Sequence, residues 1–344
     1  MNLHYFFDHQ NNIGDALNAW LWDALLADRA TQAENVRLCG IGTILNHTLP
    51  TDRPLVIMSS GVGYGPLPVD RAQNWDVAAV RGPLSAHCLN LDRDKAITDG
   101  AMLLSLLPGS APAPRRSGIL FIPHYMAVDG AAWPQACAMA GIEFVDPRSD
   151  SHAIIAKIRS AELVIANAMH GAILADVLRT PWIAATFDPM SNSFKWNDWC
   201  LSMDLRYRPH TLLPSTLYDA VKHRALPRSG DDLPHPARGI AALSRQFQHS
   251  NRAAGLGTRL LYRKIASRAV REIAARLDGL EQRFATGPSQ RRTAEAAAAL
   301  HTLASAPAML SDERVFHRQR ERMAGALLTM ANRYGLTLHS GLGL

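Results

Sequence analysis

Glu162-Leu-Val-Ile-Ala-Asn-Ala-Met-His170-Gly-Ala-Ile-Leu-Ala-Asp-Val-Leu-Arg-Thr-Pro-Trp182 decides how this chain is read. The apolar run Leu163 to Ala166 has the unbroken hydrophobicity of a strand buried on both faces of a parallel sheet. Asn167 ends that run, and Ile173, Leu174, Val177 and Leu178 then share one face at helical spacing. His170 therefore falls where a strand ends and a helix begins. At that edge of an open α/β sheet ligands bind, and free helix N–H groups attract anions. A titratable imidazole there points to acid–base work on an anionic substrate.

Outward from this junction, strand and helix signals alternate. Leu3 to Phe7 reads as a strand, followed by a polar loop from Asp8 to Gly14 and a helix from Asp15 to about Leu26. Val36 to Cys39, Leu55 to Met58 and Asp76 to Val80 read as further strands, and Pro83 opens a helix at its favoured first position. A Pro-rich break, Pro108 to Ser117, has the composition of an interdomain linker. The pattern then restarts with strand Ile119 to Ile122, helix Trp133 to Ala140, strand Ile142 to Val145 and helix His152 to Ser160. After the His170 unit come strand Trp182 to Ala185 and a helix near Trp196 to Met203. Such alternation predicts parallel sheets covered by helices, arranged as two Rossmann-like halves facing a cleft. The expected boundaries are residues 1–112, 117–230 and a helical extension at 233–344, with helices near 256–284 and 293–334 and a hinge near Gly287-Pro288.

Composition limits the class. The 344 residues are 47% hydrophobic and 19% charged, which describes a well-folded chain with ample core. No run of about 18 apolar residues is present to span a membrane. The start of the chain lacks the basic region and long apolar stretch of a signal peptide, and Cys39, Cys88, Cys137 and Cys200 show no CxxC pairing. The expectation is a reducing, cytoplasmic setting without disulfides or a zinc site. No Asp-x-Asp cluster points to a metal.

Charge is distributed unevenly. From residue 250 onward, fifteen Lys/Arg stand against seven Asp/Glu, so the whole of the net +6 lies in the tail. Two readings stay open: a solvated helical surface, or attraction to an anionic inner-membrane surface, where each basic residue is worth about 1 kcal/mol. Few aromatics and no recognisable motif argue against nucleic acid.

The ordered motifs carry a resemblance. Asn12-Ile-Gly-Asp15, Gly61-Val-Gly-Tyr-Gly65, Val80-Arg-Gly-Pro-Leu-Ser85, Asp99-Gly-Ala-Met102, Ile122-Pro-His-Tyr125 and Ala168-Met-His-Gly-Ala-Ile-Leu-Ala-Asp176 together resemble the polysaccharide pyruvyl transferase family. Within it, Ala168-Met-His-Gly resembles the exopolysaccharide ketal-pyruvate branch of the xanthan and succinoglycan type, where many other members carry Arg-Leu-His-Gly. The resemblance implies a GT-B-like fold and transfer of pyruvate from phosphoenolpyruvate to a sugar of a lipid-linked oligosaccharide, forming a cyclic ketal. No cofactor beyond the donor is implied, and the acceptor's lipid implies a peripheral position on the inner membrane.

Candidate roles follow. His170, His124 and Asp15 are expected to be catalytic, against plainer readings of His170 as a helix-terminal hydrogen-bonding residue, His124 as a loop histidine and Asp15 as a helix cap. Met169 and Gly171 flank His170, and Ser60, Gly61, Gly63 and Tyr64 form a glycine-rich loop for close backbone approach to a ligand or for a simple turn. With alanine at 168, Arg81 is the first choice for the cation that holds the donor, against a plainer reading as a surface ion pair, with Lys195 or Arg179 as further contributors. Trp196 and Trp199 are expected in the core, the other reading being stacking on an acceptor sugar if exposed. Two other functions fit the same pattern: a nucleotide-sugar glycosyltransferase, and a non-catalytic scaffold for polysaccharide assembly.

Overall fold

The computed structural model describes residues 2–6, 11–28, 35–111, 113, 116–187, 191–225, 239–253, 258–284 and 286–344. Phe7, part of the loop at 8–14, parts of the expected linker at 108–117 and the expected boundary at Leu233 lie outside them. The first stretch runs β1 (Asn2–His4), α1 (Ile13–Ala16), α2 (Leu21–Leu25), β2 (Leu26–Asp28), β3 (Arg37–Cys39), β4 (Leu55–Met58), α3 (Val69–Ala72), β5 (Asp76–Ala79) and α4 (Pro83–Cys88). The second runs β6 (Ile119–Ile122), α5 (Trp133–Ala140), β7 (Glu143–Phe144), α6 (Ser151–Ser160), β8 (Leu163–Ala166), α7 (Met169–Val177), β9 (Trp182–Thr186), α8 (Ser193–Ser202), β10 (His210–Thr211) and α9 (Leu217–Ala225). The last contains α10 (Gly239–Ala253), α11 (Thr258–Phe284), α12 (Thr286–Leu303), α13 (Glu313–Arg333) and β11 (Thr337–Leu338).

The fold is α/β with two parallel sheets. One has the order β1-β3-β4-β5, the other β10-β9-β8-β6-β7. In the second sheet the chain leaves β6 toward β7 on one side, and later extends from β8 toward β9 on the other. The gap beyond the carboxyl ends of β6 and β8 is thus a topological switch point, the position where open α/β sheets bind ligands. His124 follows β6 and His170 follows β8, so the strand order alone brings the two imidazoles to one crevice.

The buried strands Leu55–Met58 and Leu163–Ala166 match their apolar runs residue for residue. The expected helix from Asp15 to Leu26 breaks instead: Leu17–Ala19 forms a 3₁₀ turn, and Leu26–Asp28 becomes a strand paired antiparallel to β11. A distant partner overrides local propensity there. The expected helix over 293–334 is two helices, α12 and α13, and Gly287-Pro288 falls in the first turn of α12. The C-terminal helices do not stand apart. Helix α10 packs on α4, α11 on α9, α12 on α5, and α13 on β5 and the 3₁₀ helix Gly100–Leu106.

One apolar cluster runs from Ile13, Leu17 and Trp22 through Met102 and Ile122 to Trp182, Trp196 and Trp199. Trp196 and Trp199 are 2% exposed, as core residues should be, with Trp196 stacked on Tyr207 at 5.0 Å. All four cysteines are buried and free. Burial pushes the thiols of Cys39, Cys88 and Cys137 up to about 12, which leaves them protonated and unreactive near neutrality.

Candidate active site

The carboxyl edges of both sheets contribute to one cleft of about 510 Å³. From the first half come His4 at the end of β1, Asn12 capping α1, Asp15 of α1, Thr43 beyond β3 and Tyr64 beyond β4. The second supplies His124, Met126, Ala168, Met169, His170 and Lys195.

His170 lies in the first turn of α7 and is 8% exposed. Its Nε2 is 3.6 Å from Oδ1 of Asp99, which is itself buried and caps the 3₁₀ helix by accepting from the Ala101 N–H at 3.0 Å. Burial alone would push the Asp99 carboxyl up. The neighbouring His170 imidazole, the Ala101 N–H and the positive field of Arg81 outweigh it and hold Asp99 below its ordinary value. Among the described residues, neither His170 Nε2 nor Asp99 Oδ2 has a hydrogen-bond partner. The other side of the ring presses on Gly14, where an added Cβ would stand 1.8 Å from Nδ1. Glycine in the Asn12-Ile-Gly-Asp15 motif is thus required by the imidazole, not by backbone conformation.

His124 is tied down from two directions. Its N–H donates to Asn167 Oδ1 at 2.7 Å, and its Nδ1 accepts from the Met126 N–H at 3.4 Å. An accepting Nδ1 puts the proton of the neutral ring on Nε2. Asn167 in turn donates to the Ala185 carbonyl and to Ser191 Oγ, so the residue that ends the buried strand also positions His124. Asp15 accepts from the Asn12 side chain at 2.8 Å and sits in the first turn of α1 rather than at its cap, which is Asn12.

Lys195 brings a cation into the cleft. It is the one Lys or Arg among the described residues that line the cleft, and its Nζ donates to the Tyr64 hydroxyl at 2.7 Å while lying 4.8 Å from that ring's centre. Gly63 makes room for it, since a Cβ there would lie 2.7 Å from Lys195 Cγ. Asn192 caps α8 and donates to the Gly63 carbonyl at 2.8 Å, locking the loop to the helix that carries Lys195.

Arg81 does not fill the role expected of it. Its side chain is fully buried behind the cleft wall, and all three guanidinium nitrogens are committed: Nε to Asp198 at 3.1 Å, one terminal nitrogen to Thr43 at 2.8 Å, the other to the Val62 carbonyl at 2.6 Å. Asp198 also accepts from Ser85 Oγ and from the N–H groups of Leu84 and Ser85, which makes the pair a clamp between α4 and α8. Gly61 exists for this clamp, because a Cβ would lie 2.3 Å from the guanidinium carbon. Ser60 donates to the Gly40 carbonyl, and Gly171 packs α7 onto Ile122; neither lines the cleft. Arg179 is engaged with Asp176, Ser311 and Glu313, also away from it.

Residues 48–189 match the family described as polysaccharide pyruvyl transferase. The chain is also 38% identical over 226 residues to the succinoglycan biosynthesis protein ExoV of Rhizobium meliloti (strain 1021), a span covering 64% of this chain and 71% of that one. This chain belongs to the polysaccharide pyruvyl transferase family. The protein is accordingly a transferase, and the matched region contains Tyr64, Asp99, His124 and His170. Asp15 and Lys195, on either side of that region, complete the same cleft.

Two residues of this pyruvyl transferase cleft escape a reading by motif alone. Asp99 stands in a quoted motif, but its partner is 71 positions away, and only the fold joins them. His4 sits inside the first strand with no motif around it; burial, helped by Arg37 and opposed by Asp52, lowers its pKa below the usual histidine value. His4 therefore faces the cleft as a neutral imidazole at pH 7. Among the described residues no cluster of three His, Cys, Asp or Glu is placed to hold a metal ion.

Proposed function

We propose that this enzyme moves pyruvate from phosphoenolpyruvate to a sugar of a lipid-linked exopolysaccharide repeat unit, closing a cyclic ketal, on a GT-B-like scaffold of two Rossmann-type domains. The observation that carries the proposal is the cleft itself: one cation, Lys195, faces the paired His170 and the tethered His124 across a switch-point crevice. A donor with a phosphate and a carboxylate needs such a cation, and proton transfer to carbon needs a positioned acid.

In this mechanism Lys195 and the Tyr64 hydroxyl hold the donor's anionic groups. His170, held by Asp99, delivers a proton to the methylene carbon, which becomes the methyl group, and C2 takes on oxocarbenium character. A sugar hydroxyl attacks C2 and yields its proton to the neutral imidazole of His4, while the Nε2–H of His124 donates to the donor's anionic groups. The C2–O bond to phosphate then breaks, and a second hydroxyl closes the ring as its proton leaves with the phosphate. Asp15 orients the acceptor hydroxyls. The products are a ketal and inorganic phosphate. An acceptor on a lipid holds the enzyme peripherally at an anionic inner-membrane surface; among the described residues no helix is long and apolar enough to cross a membrane.

Incubation with phosphoenolpyruvate and a lipid-linked oligosaccharide tests this directly. The expected result is phosphate release coupled to a carboxyethylidene mass gain on the acceptor. Binding or hydrolysis of a nucleotide sugar with indifference to phosphoenolpyruvate would establish a glycosyltransferase instead.

A further inference from the structure

Helix α11 shows two unlike faces over residues 268–284. Its inner face is anchored: Ala274 and Asp278 are buried, Asp278 accepts from the Tyr218 N–H of α9, and Glu281 pairs with Arg292 of α12. Its outer face is apolar. Ile273, Leu277, Leu280 and Phe284 are 54%, 42%, 54% and 74% exposed. At about 100° per residue they fall within about 60° of one another, forming a single stripe. Four large apolar side chains in one exposed row exceed the scattered surface hydrophobics of an ordinary soluble face.

The stripe has a basic border. Arg276 and Arg283 are exposed along one flank, with the Arg283 guanidinium 5.4 Å from the Phe284 ring centre. The exposed carboxylate nearest that flank, Glu272, is already paired to Arg268 at 3.1 Å. Over the whole of α11 seven Lys/Arg face three Asp/Glu. An apolar stripe bordered by arginine on a helix of positive charge is the pattern of a helix lying in the head-group plane of an anionic bilayer. A second copy of the same stripe would bring arginine to arginine.

We propose that the Ile273–Phe284 face of α11 is the membrane-docking surface of this enzyme, with an anionic phospholipid bilayer as its partner. The inference rests on the reading of a lipid-linked acceptor and gives that reading a place on the molecule. Helix α11 packs on α9, and Lys222 of α9 donates to the carbonyl of Met126, a cleft residue, at 3.4 Å, which ties the docking helix to the cleft wall.

The test uses the full chain and sedimentation with vesicles of phosphatidylglycerol and phosphatidylcholine in equal parts, against phosphatidylcholine alone. The wild-type protein is expected to sediment with the anionic vesicles. Two variants, Leu277→Ser/Leu280→Ser/Phe284→Ser and Arg276→Glu/Arg283→Glu, are each expected to lose about tenfold or more of that binding. Unchanged thermal midpoints would show both to be folded. Unaltered vesicle binding in either variant overturns the proposal. So does a dimer, seen by light scattering, that the serine variant converts to monomer while vesicle binding persists. Pyruvyl transfer to a lipid-free saccharide is measured in parallel and is expected to be equal in all three proteins. If no protein transfers pyruvate and the variants still lose vesicle binding, the docking surface stands and the donor–acceptor reading falls.

Discussion

The Nε2 of His170 lies 3.6 Å from the Oδ1 of Asp99, with the opposite side of the imidazole pressed on Gly14. Three separate motifs thus meet at a single ring. One supplies the imidazole, one a carboxylate kept ionised by its setting, and one the absence of a side chain. The ring has little freedom to rotate between a buried carboxylate and the Gly14 backbone.

Asp99→Asn removes the charge and keeps the shape. We expect kcat to fall about 10²-fold, within what a positioned general acid supplies, with KM for phosphoenolpyruvate little changed. Steady-state kinetics check this, and an equal loss in kcat and rise in KM would reassign Asp99 to ground-state binding.

Gly14→Ala places a methyl group where the imidazole now sits, 1.8 Å from Nδ1. Displacement of a catalytic group by about 1 Å costs on the order of 10²-fold in rate. The variant should keep its circular dichroism spectrum and lose turnover. Full activity would mean that His170 works from another position.

Lys195→Ala should raise KM for phosphoenolpyruvate about 10- to 100-fold, the equivalent of one charged hydrogen bond, while Lys195→Arg keeps part of the affinity. Isothermal titration with the donor alone separates this from any effect on the acceptor.

Arg81→Ala should act on stability instead. It leaves Asp198 buried without its partner, at a cost of about 3–5 kcal/mol in denaturant titrations. The double variant Arg81→Met/Asp198→Leu should recover much of the loss. If Arg81→Met alone folds as well as wild type but fails to bind donor, Arg81 reaches the ligand after all.

His4 predicts a pH effect. Its folded-state pKa is lowered, so between that value and the unfolded value near 6.5 the unfolded chain binds more protons. Its contribution to stability is complete above the unfolded value and declines as pH falls toward the folded one. His4→Gln should therefore flatten the fall in thermal midpoint between pH 7.5 and about 5.5, as scanning calorimetry would show.

What could be read from sequence followed the range of each interaction. Leu163–Ala166 and the turn into His170 are specified by neighbours, since a short apolar run ended by Asn167 needs no distant partner to be a buried strand. The fate of Arg81 is specified by Asp198, 117 positions later, so the chain shows a cation but not its burial. Lys195 carried no stronger signal than any lysine until the Gly63 loop was seen to close on it. The helix expected across Leu26 fails for the same reason, because Thr337–Leu338 claims that segment as a strand.

That last pairing bears on how the molecule is made. Strand β2 (Leu26–Asp28) pairs with β11 (Thr337–Leu338), more than 300 positions later in the chain. Long-range closures of this kind form late and slowly. During synthesis β2 waits for its strand partner until residues 337–338 have left the ribosome. Truncating the last helices therefore exposes an interior rather than trimming an accessory, and any shortened version of this enzyme should be judged first by its solubility.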